Sequence, residues 1–270
     1  MSTVEVRGTG LFSGREATVA ITKVDGPTTL HMDGKGGTLD AWTWAPEPRT
    51  TAIALATGEK LACVEHFFAA LAALGAYRNV AVAVSGAELP ILDGGARAWC
   101  NEIAALDLLT APPMLVVAKD EEIVLGESRY RFALGDAVDL SVSVDFAQGG
   151  PFAASLPSAA SWDGSRIEFI YKISEARTFL FARELSWFAE HASSHAPPES
   201  VVVLGEDGAK FAGNEFSPDE PVRHKLLDLV GDAFLYGGPP RGTLHAHRPG
   251  HAKNHEALGL ALARGIVVRV

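Results

Sequence analysis

Two periodicities run along the chain. From Glu220 to Phe234 it reads EPVRHKLLDLVGDAF, placing Leu226, Leu227, Leu229, Val230, Ala233 and Phe234 on one side of a helix and His224, Lys225, Asp228 and Asp232 on the other. Pro221 suits a first helical turn, where its missing N–H would have had no partner, and Gly237-Gly238-Pro239-Pro240 ends the segment. Elsewhere the period shortens to two, as in NVAVAVSG from Asn79, which reads as a strand with one buried face.

The order of these patterns repeats. The first half has the strand-like EVRGTGLFSGREATVAITK, a helix CVEHFFAALAALGA, the alternating strand, a glycine turn LDGGA and a helix RAWCNEIAALDLL. The second half has strand-like YRFALGDAVDLSVSVDF, a helical stretch SEARTFLFARELSWFAEH, a strand SVVVLGED and the helix from Pro221. A strand GTLHAHR, a turn PGHA and a final helix KNHEALGLALARG follow. Between the halves, LLTAPPM joins a helix end to two prolines, so the boundary is placed there, giving halves 1–112 and 113–270. Helix, strand, glycine turn and helix occur twice, which predicts an α/β or α+β domain duplicated and packed on itself.

Composition narrows the class. With 270 residues, 47% of them apolar, the chain can bury a sizeable core as one large or two medium domains. The N-terminus lacks an apolar signal-like region, and the most apolar stretch is broken by Glu65 and His66, so a cytoplasmic protein without a membrane span is expected. Cys63 and Cys100 are too few for a disulfide framework. A net charge of −10 argues against a nucleic-acid partner, leaving anionic ligands to local basic spots such as Lys225 beside Arg223.

The polar stripe His224, Asp228, Asp232 has two readings, a face turned to water or half of a metal site. Partners are needed to choose. His66 stands near the start of its helix as His224 does in the other half, so packing the two helices together brings both imidazoles to one point, with Asp228 one turn beyond. Two His and one Asp match the three protein ligands of a catalytic zinc site, and Glu65, beside His66, suits a general base. A second histidine group, His245, His247, His251 and His255, lacks a carboxylate until Glu256; His251, at the tip of a turn, is its member best placed for display.

Five motifs in order, VEHFFAALAALG, LPILDGGARAW, ARTF, VRHKLLDLVGD and PGHAKNHE, resemble those of the UDP-3-O-acyl-N-acetylglucosamine deacetylases (LpxC) of the lipid A pathway. The resemblance runs from GTGLFSG to the last helix. It implies an α+β fold of duplicated two-layer sandwich domains, each with a sheet and two main helices, and an active site between the halves. It makes His66, His224 and Asp228 ligands of zinc, with iron(II) also compatible, and Glu65 the general base. It implies a protonated His251 as general acid oriented by Asp232, Thr178 as oxyanion donor, and Phe179 and Lys225 as substrate contacts. The expected substrate is an acylated UDP-amino sugar, met by a monomer whose membrane contact is peripheral, through the acyl group. Two departures stand out: Phe12 replaces a histidine common in the family, and Pro197-Pro198 fall where the family has a glycine-rich loop. They motivate an alternative, a divergent zinc deacetylase acting on another N-acyl substrate; a non-catalytic zinc or nucleotide-sugar binding protein is the alternative of another class.

Overall fold

A computed structural model describes residues 2–270. Strands Thr3–Thr9, Glu16–Pro27, Arg78–Ser85, Thr29–Met32 and Lys35–Thr38 form a five-stranded sheet in that order. Its alternating sequences do what a pleat demands: Val19 faces Val84 and Ile21 faces Val82 across the ladder, and all four are buried. The second sheet has six strands, with Glu121–Leu125, Ser128–Ser143, Arg241–His247, Leu115–Val117 and Val267–Arg269 in order and Ala159–Trp162 paired to the far end of Ser128–Ser143. The molecule is an α+β protein in which each of these sheets draws its strands from one side of the Ala111-Pro112-Pro113 segment. Among the described residues no helix is long and apolar enough to cross a membrane.

Helices Glu65–Ala73 and Arg97–Ala104 come from the same half of the chain as the first sheet, and Glu220–Phe234 and His251–Ala263 from the same half as the second. Glu65–Ala73 is buried along its whole length. It packs on Glu220–Phe234, where Phe68 meets Phe234 at 5.2 Å between ring centroids. Gly231 permits the crossing, since a Cβ there would lie 2.0 Å from the Glu65 carbonyl oxygen. A mid-helix glycine costs about 1 kcal/mol relative to alanine in an isolated helix. Here the close approach requires it.

One open reading is decided and two sequence expectations are corrected. The stripe on Glu220–Phe234 does not face water: His224, Asp228 and Asp232 are buried, and only Arg223 and Lys225 along that helix escape burial. The helix expected over residues 174–191 is a strand, Thr178–Phe181, followed by a shorter helix, Leu185–His191. The alternation in TFLF suits a pleat, and the strand pairs in parallel with Val201–Leu204, whose β-branched run supplies the ladder. His251 is not at a turn tip; it opens the helix His251–Ala263. A small antiparallel sheet, Trp42–Ala45, Ala52–Leu55 and Lys60–Ala62, also lies in a region where the sequence suggested no element.

Gly231→Ala is expected to destabilise the protein by at least ~1–3 kcal/mol, the usual range for overpacking, because backbone rather than a flexible side chain must yield. Urea unfolding checks this; an unchanged midpoint would show that the helices do not cross as closely as described.

Candidate active site

The helix crossing sets His66 beside His224, with ring centroids 5.1 Å apart and planes at 83°. Asp228 Oδ1 lies 3.5 Å from His224 Nε2 and 3.8 Å from His66 Nε2, and one donor atom from each residue falls within 4.8 Å of the others. The His224 Nδ1–H donates to the Ala176 carbonyl at 3.0 Å, which leaves the Nε2 lone pair free. Lys225 Nζ donates to Asp228 Oδ2 at 3.0 Å, whereas Oδ1 is buried without a hydrogen-bond partner. A buried carboxylate oxygen left unpaired between two imidazole nitrogens is costly unless something positive sits there. The three residues therefore fit a divalent cation.

Electrostatics support the fit. Burial, reinforced by His224, pushes the His66 imidazole down to about 3, and burial also depresses His224, so both rings are neutral and able to bind a metal. Burial alone would raise Asp228, but the charged Lys225 and His251 beside it hold its carboxyl well below the usual range.

The remaining titratable groups surround this triad. Glu65 Oε1 accepts from the Thr50 hydroxyl at 2.7 Å and Oε2 from the Thr51 backbone N–H at 3.1 Å. Burial raises its carboxyl to about 7, against the pull of His251. His251 Nε2 lies 3.9 Å from Glu65 Oε1, while Nδ1 donates to Asp232, 3.1 Å from Oδ2. Burial disfavours a charged His251, but Asp232 and Asp228 outweigh it and raise the imidazole to about 10. Asp232, fully buried, also accepts from Thr51 Oγ1 at 2.5 Å and Asn254 Nδ2 at 2.7 Å.

These groups line one cleft of about 440 Å³, with Asp232 behind His251 rather than on its wall. Leu11, Ile91, Leu180, Trp187 and Phe188 make its apolar side. Thr178 stands at the cleft, its hydroxyl donating to the Gly94 carbonyl at 3.1 Å, and Phe179 packs edge-on to His224 at 6.0 Å. Lys225 Nζ lies 5.4 Å from the centre of the Phe179 ring. Phe12 also borders the cleft and meets Trp187 edge-on at 6.5 Å.

Comparison with known proteins decides the family. The model of the UDP-3-O-acyl N-acetylglycosamine deacetylases, LpxC, matches residues 1–263. The chain belongs to the LpxC family. It is 30% identical to the UDP-3-O-acyl-N-acetylglucosamine deacetylase of Stenotrophomonas maltophilia (strain K279a) over 279 residues, covering 97% of this chain and 88% of that protein. The deacetylase so named in Pseudomonas entomophila (strain L48) is 29% identical over 273 residues, with the same coverage. The one in Acinetobacter baumannii (strain SDF) is 32% identical over 215 residues, 76% of this chain and 69% of that protein.

For an LpxC-family chain, the site holds several residues that the sequence alone did not suggest. Thr50 and Thr51 lie between the strands Trp42–Ala45 and Ala52–Leu55 and touch both Glu65 and Asp232. Glu88 accepts from the Phe12 and Ser13 backbone N–H groups at 2.8 and 2.7 Å, fixing the loop that carries Phe12. Neither the threonine pair nor Glu88 sits in a periodic pattern, so only the fold reveals them.

The wild-type chain is expected to bind one divalent ion in a calorimetric titration. Asp228→Ala should weaken that binding by more than ~100-fold, beyond the ~10–100-fold typical of outer partners. Equal affinity in the variant would remove Asp228 from the site.

Proposed function

We propose that this chain is a zinc-dependent amidohydrolase that removes acetate from the N-acetyl group of a UDP-3-O-acyl-N-acetylglucosamine, a step in lipid A biosynthesis. The observation that carries the reading is the convergence of His66, His224 and Asp228 with Glu65 and His251 in one cleft. Relatives bearing that name cover nearly the whole chain, which supports the substrate.

His66, His224 and Asp228 would hold the ion. Zinc bound there supplies a Lewis acid that polarises the amide carbonyl and acidifies water, and iron(II) suits the same donors. Glu65, held by Thr50 and Thr51, takes the proton from the attacking water at a carboxylate oxygen. His251 gives its Nε2 proton to the departing amine, while Asp232 keeps Nδ1–H oriented. Thr178 turns its hydroxyl hydrogen from Gly94 to the developing oxyanion; the Gly94 carbonyl retains the Thr178 backbone N–H at 2.8 Å.

Phe179 and Lys225 contact the substrate. They also line an adjoining hollow of about 190 Å³ with Phe146, Phe181, Asp145 and Arg248, whose aromatic faces suit stacking of a nucleoside base. The proposal includes a cytoplasmic monomer, built from halves 1–112 and 113–270, that meets the membrane only through its acylated substrate. One observation favours the second reading, a different N-acyl substrate. Arg49 borders the apolar side of the cleft, its guanidinium 4.5 Å from the Trp187 ring centre and paired with Glu184 at 2.7 Å.

Acetate release from UDP-3-O-(3-hydroxyacyl)-N-acetylglucosamine by the zinc-loaded protein tests the choice. Turnover that disappears on metal removal is expected; turnover only with other N-acetylated substrates would select the second reading. Glu65→Gln should keep the metal and lower kcat by ~10² or more, as for a lost general base.

The working state has Glu65 unprotonated, populated above about 7, and His251 protonated, populated below about 10. The rate should therefore rise with pH through the first group and fall through the second. A dication opposes both protonated forms and moves both limbs toward acid. A kcat/KM profile that climbs monotonically into strong alkali would refute the pairing of base and acid.

A further inference from the structure

The proposed mechanism uses His66, His224 and His251 but not His255, which at 2% exposure is the most deeply buried of the four. Every side of its ring is engaged. Nε2 lies 3.1 Å from Thr51 Oγ1 and 3.4 Å from Asp232 Oδ1, Nδ1 lies 3.1 Å from the Tyr236 hydroxyl, and the ring stacks on Trp44 at 5.1 Å and 17°. The Thr51 hydroxyl hydrogen goes to Asp232 Oδ1, so His255 Nε2 faces only lone pairs and carries a hydrogen.

Thr51 Oγ1 is a junction. It lies 3.1 Å from His255 Nε2 and also 3.1 Å from His251 Nδ1, the same distance as His251 Nδ1 to Asp232 Oδ2. The Nδ1–H of His251 thus has two acceptors at equal range, a hydroxyl and a carboxylate. By donating to Thr51 Oγ1, His255 turns the Thr51 hydroxyl hydrogen onto Asp232 Oδ1, which fixes the carboxylate with Oδ2 toward His251 Nδ1.

We propose that His255 is a positioning residue: its Nε2–H, acting through Thr51 and Asp232, commits the His251 Nδ1–H to the carboxylate and thereby aims His251 Nε2 into the cleft. The step from geometry to rate rests on the deacetylase reading; the hydrogen-bond assignment does not. Removing the imidazole frees the Thr51 hydroxyl to turn from Asp232, loosens the carboxylate and tilts the acid away from its target. A glutamine at 255 reaches far enough to place an amide N–H near the same point, whereas leucine fills the space without a donor.

The test compares His255→Leu, His255→Gln and Thr51→Val, each metal-loaded, by steady-state kinetics, thermal unfolding and proton NMR of the downfield N–H signal given by a His–carboxylate hydrogen bond. His255→Leu is expected to lower kcat by about tenfold, the low end for an outer partner, at unchanged KM and with the downfield signal displaced. His255→Gln should restore most of both. Thr51→Val breaks the same path, so adding His255→Leu to it should lower kcat little further. A downfield signal unchanged in His255→Leu overturns the proposal, as does a fully stable His255→Gln as slow as the leucine variant. If His255→Leu does not fold, His255→Gln and Thr51→Val decide: Gln keeping the signal that Val loses supports the proposal, and both losing it or both keeping it overturns it. If the signals behave as expected while wild type releases acetate from no N-acetyl substrate, the positioning assignment stands and the deacetylase reading falls.

Discussion

The structure depends on two helices touching backbone to backbone. Where Gly231 faces the Glu65 carbonyl there is no room for a side chain, and that contact decides how far apart the two helices sit along their whole crossing. His66 and Asp232 directly follow the two residues in contact, and Asp228 stands one turn before Gly231. Separating the axes by a methyl group would separate the imidazoles by a comparable amount, enough to spoil a donor set whose useful distances are fixed to tenths of an ångström. The aromatic packing of Phe68 on Phe234 holds the crossing from the apolar side, so core and site are opposite faces of one contact.

Such a site gathers several buried charges at one place. Glu65, Asp228, Asp232 and His251 lie within hydrogen-bonding or ion-pair reach of one another or of shared partners, nearly out of contact with water. Their desolvation is offset by reciprocal arrangement: the two lower carboxylates favour a charged His251, which in turn steadies them. Neutral donors supply the remainder, chiefly Thr50, Thr51 and Asn254. Glu65 is the exception, held near neutrality by burial, and that places its proton exchange close to ordinary working pH.

Much of this was legible in the chain. The helix Glu220–Phe234 announced itself through leucine spacing, Pro221 and the glycines after it, and the two-fold order of elements pointed to helices that could bring His66 and His224 together. Periodicity could not reveal that the polar side of that helix is buried, because a stripe turned to water and one turned to an internal cleft have the same spacing. The stretch Thr178–Phe181 was misread as helix because its strand character comes from a partner twenty-three residues later in the register, Val201 opposite Thr178. Thr50 and Thr51 were hidden for another reason. They sit where nothing repeats, and their importance lies wholly in which distant side chains they meet.

The Thr178 hydroxyl, resting on the Gly94 carbonyl, has a meaning of its own for selectivity. An incoming acceptor has to outcompete a peptide oxygen already in place. A neutral amide oxygen is no better than the one it would displace, so the exchange brings it almost nothing; an oxygen that has acquired negative charge forms a stronger bond and wins. In the proposed role, Thr178 would ignore the bound reactant and respond to charge as it develops, so that recognition at this wall is deferred until the reaction is under way.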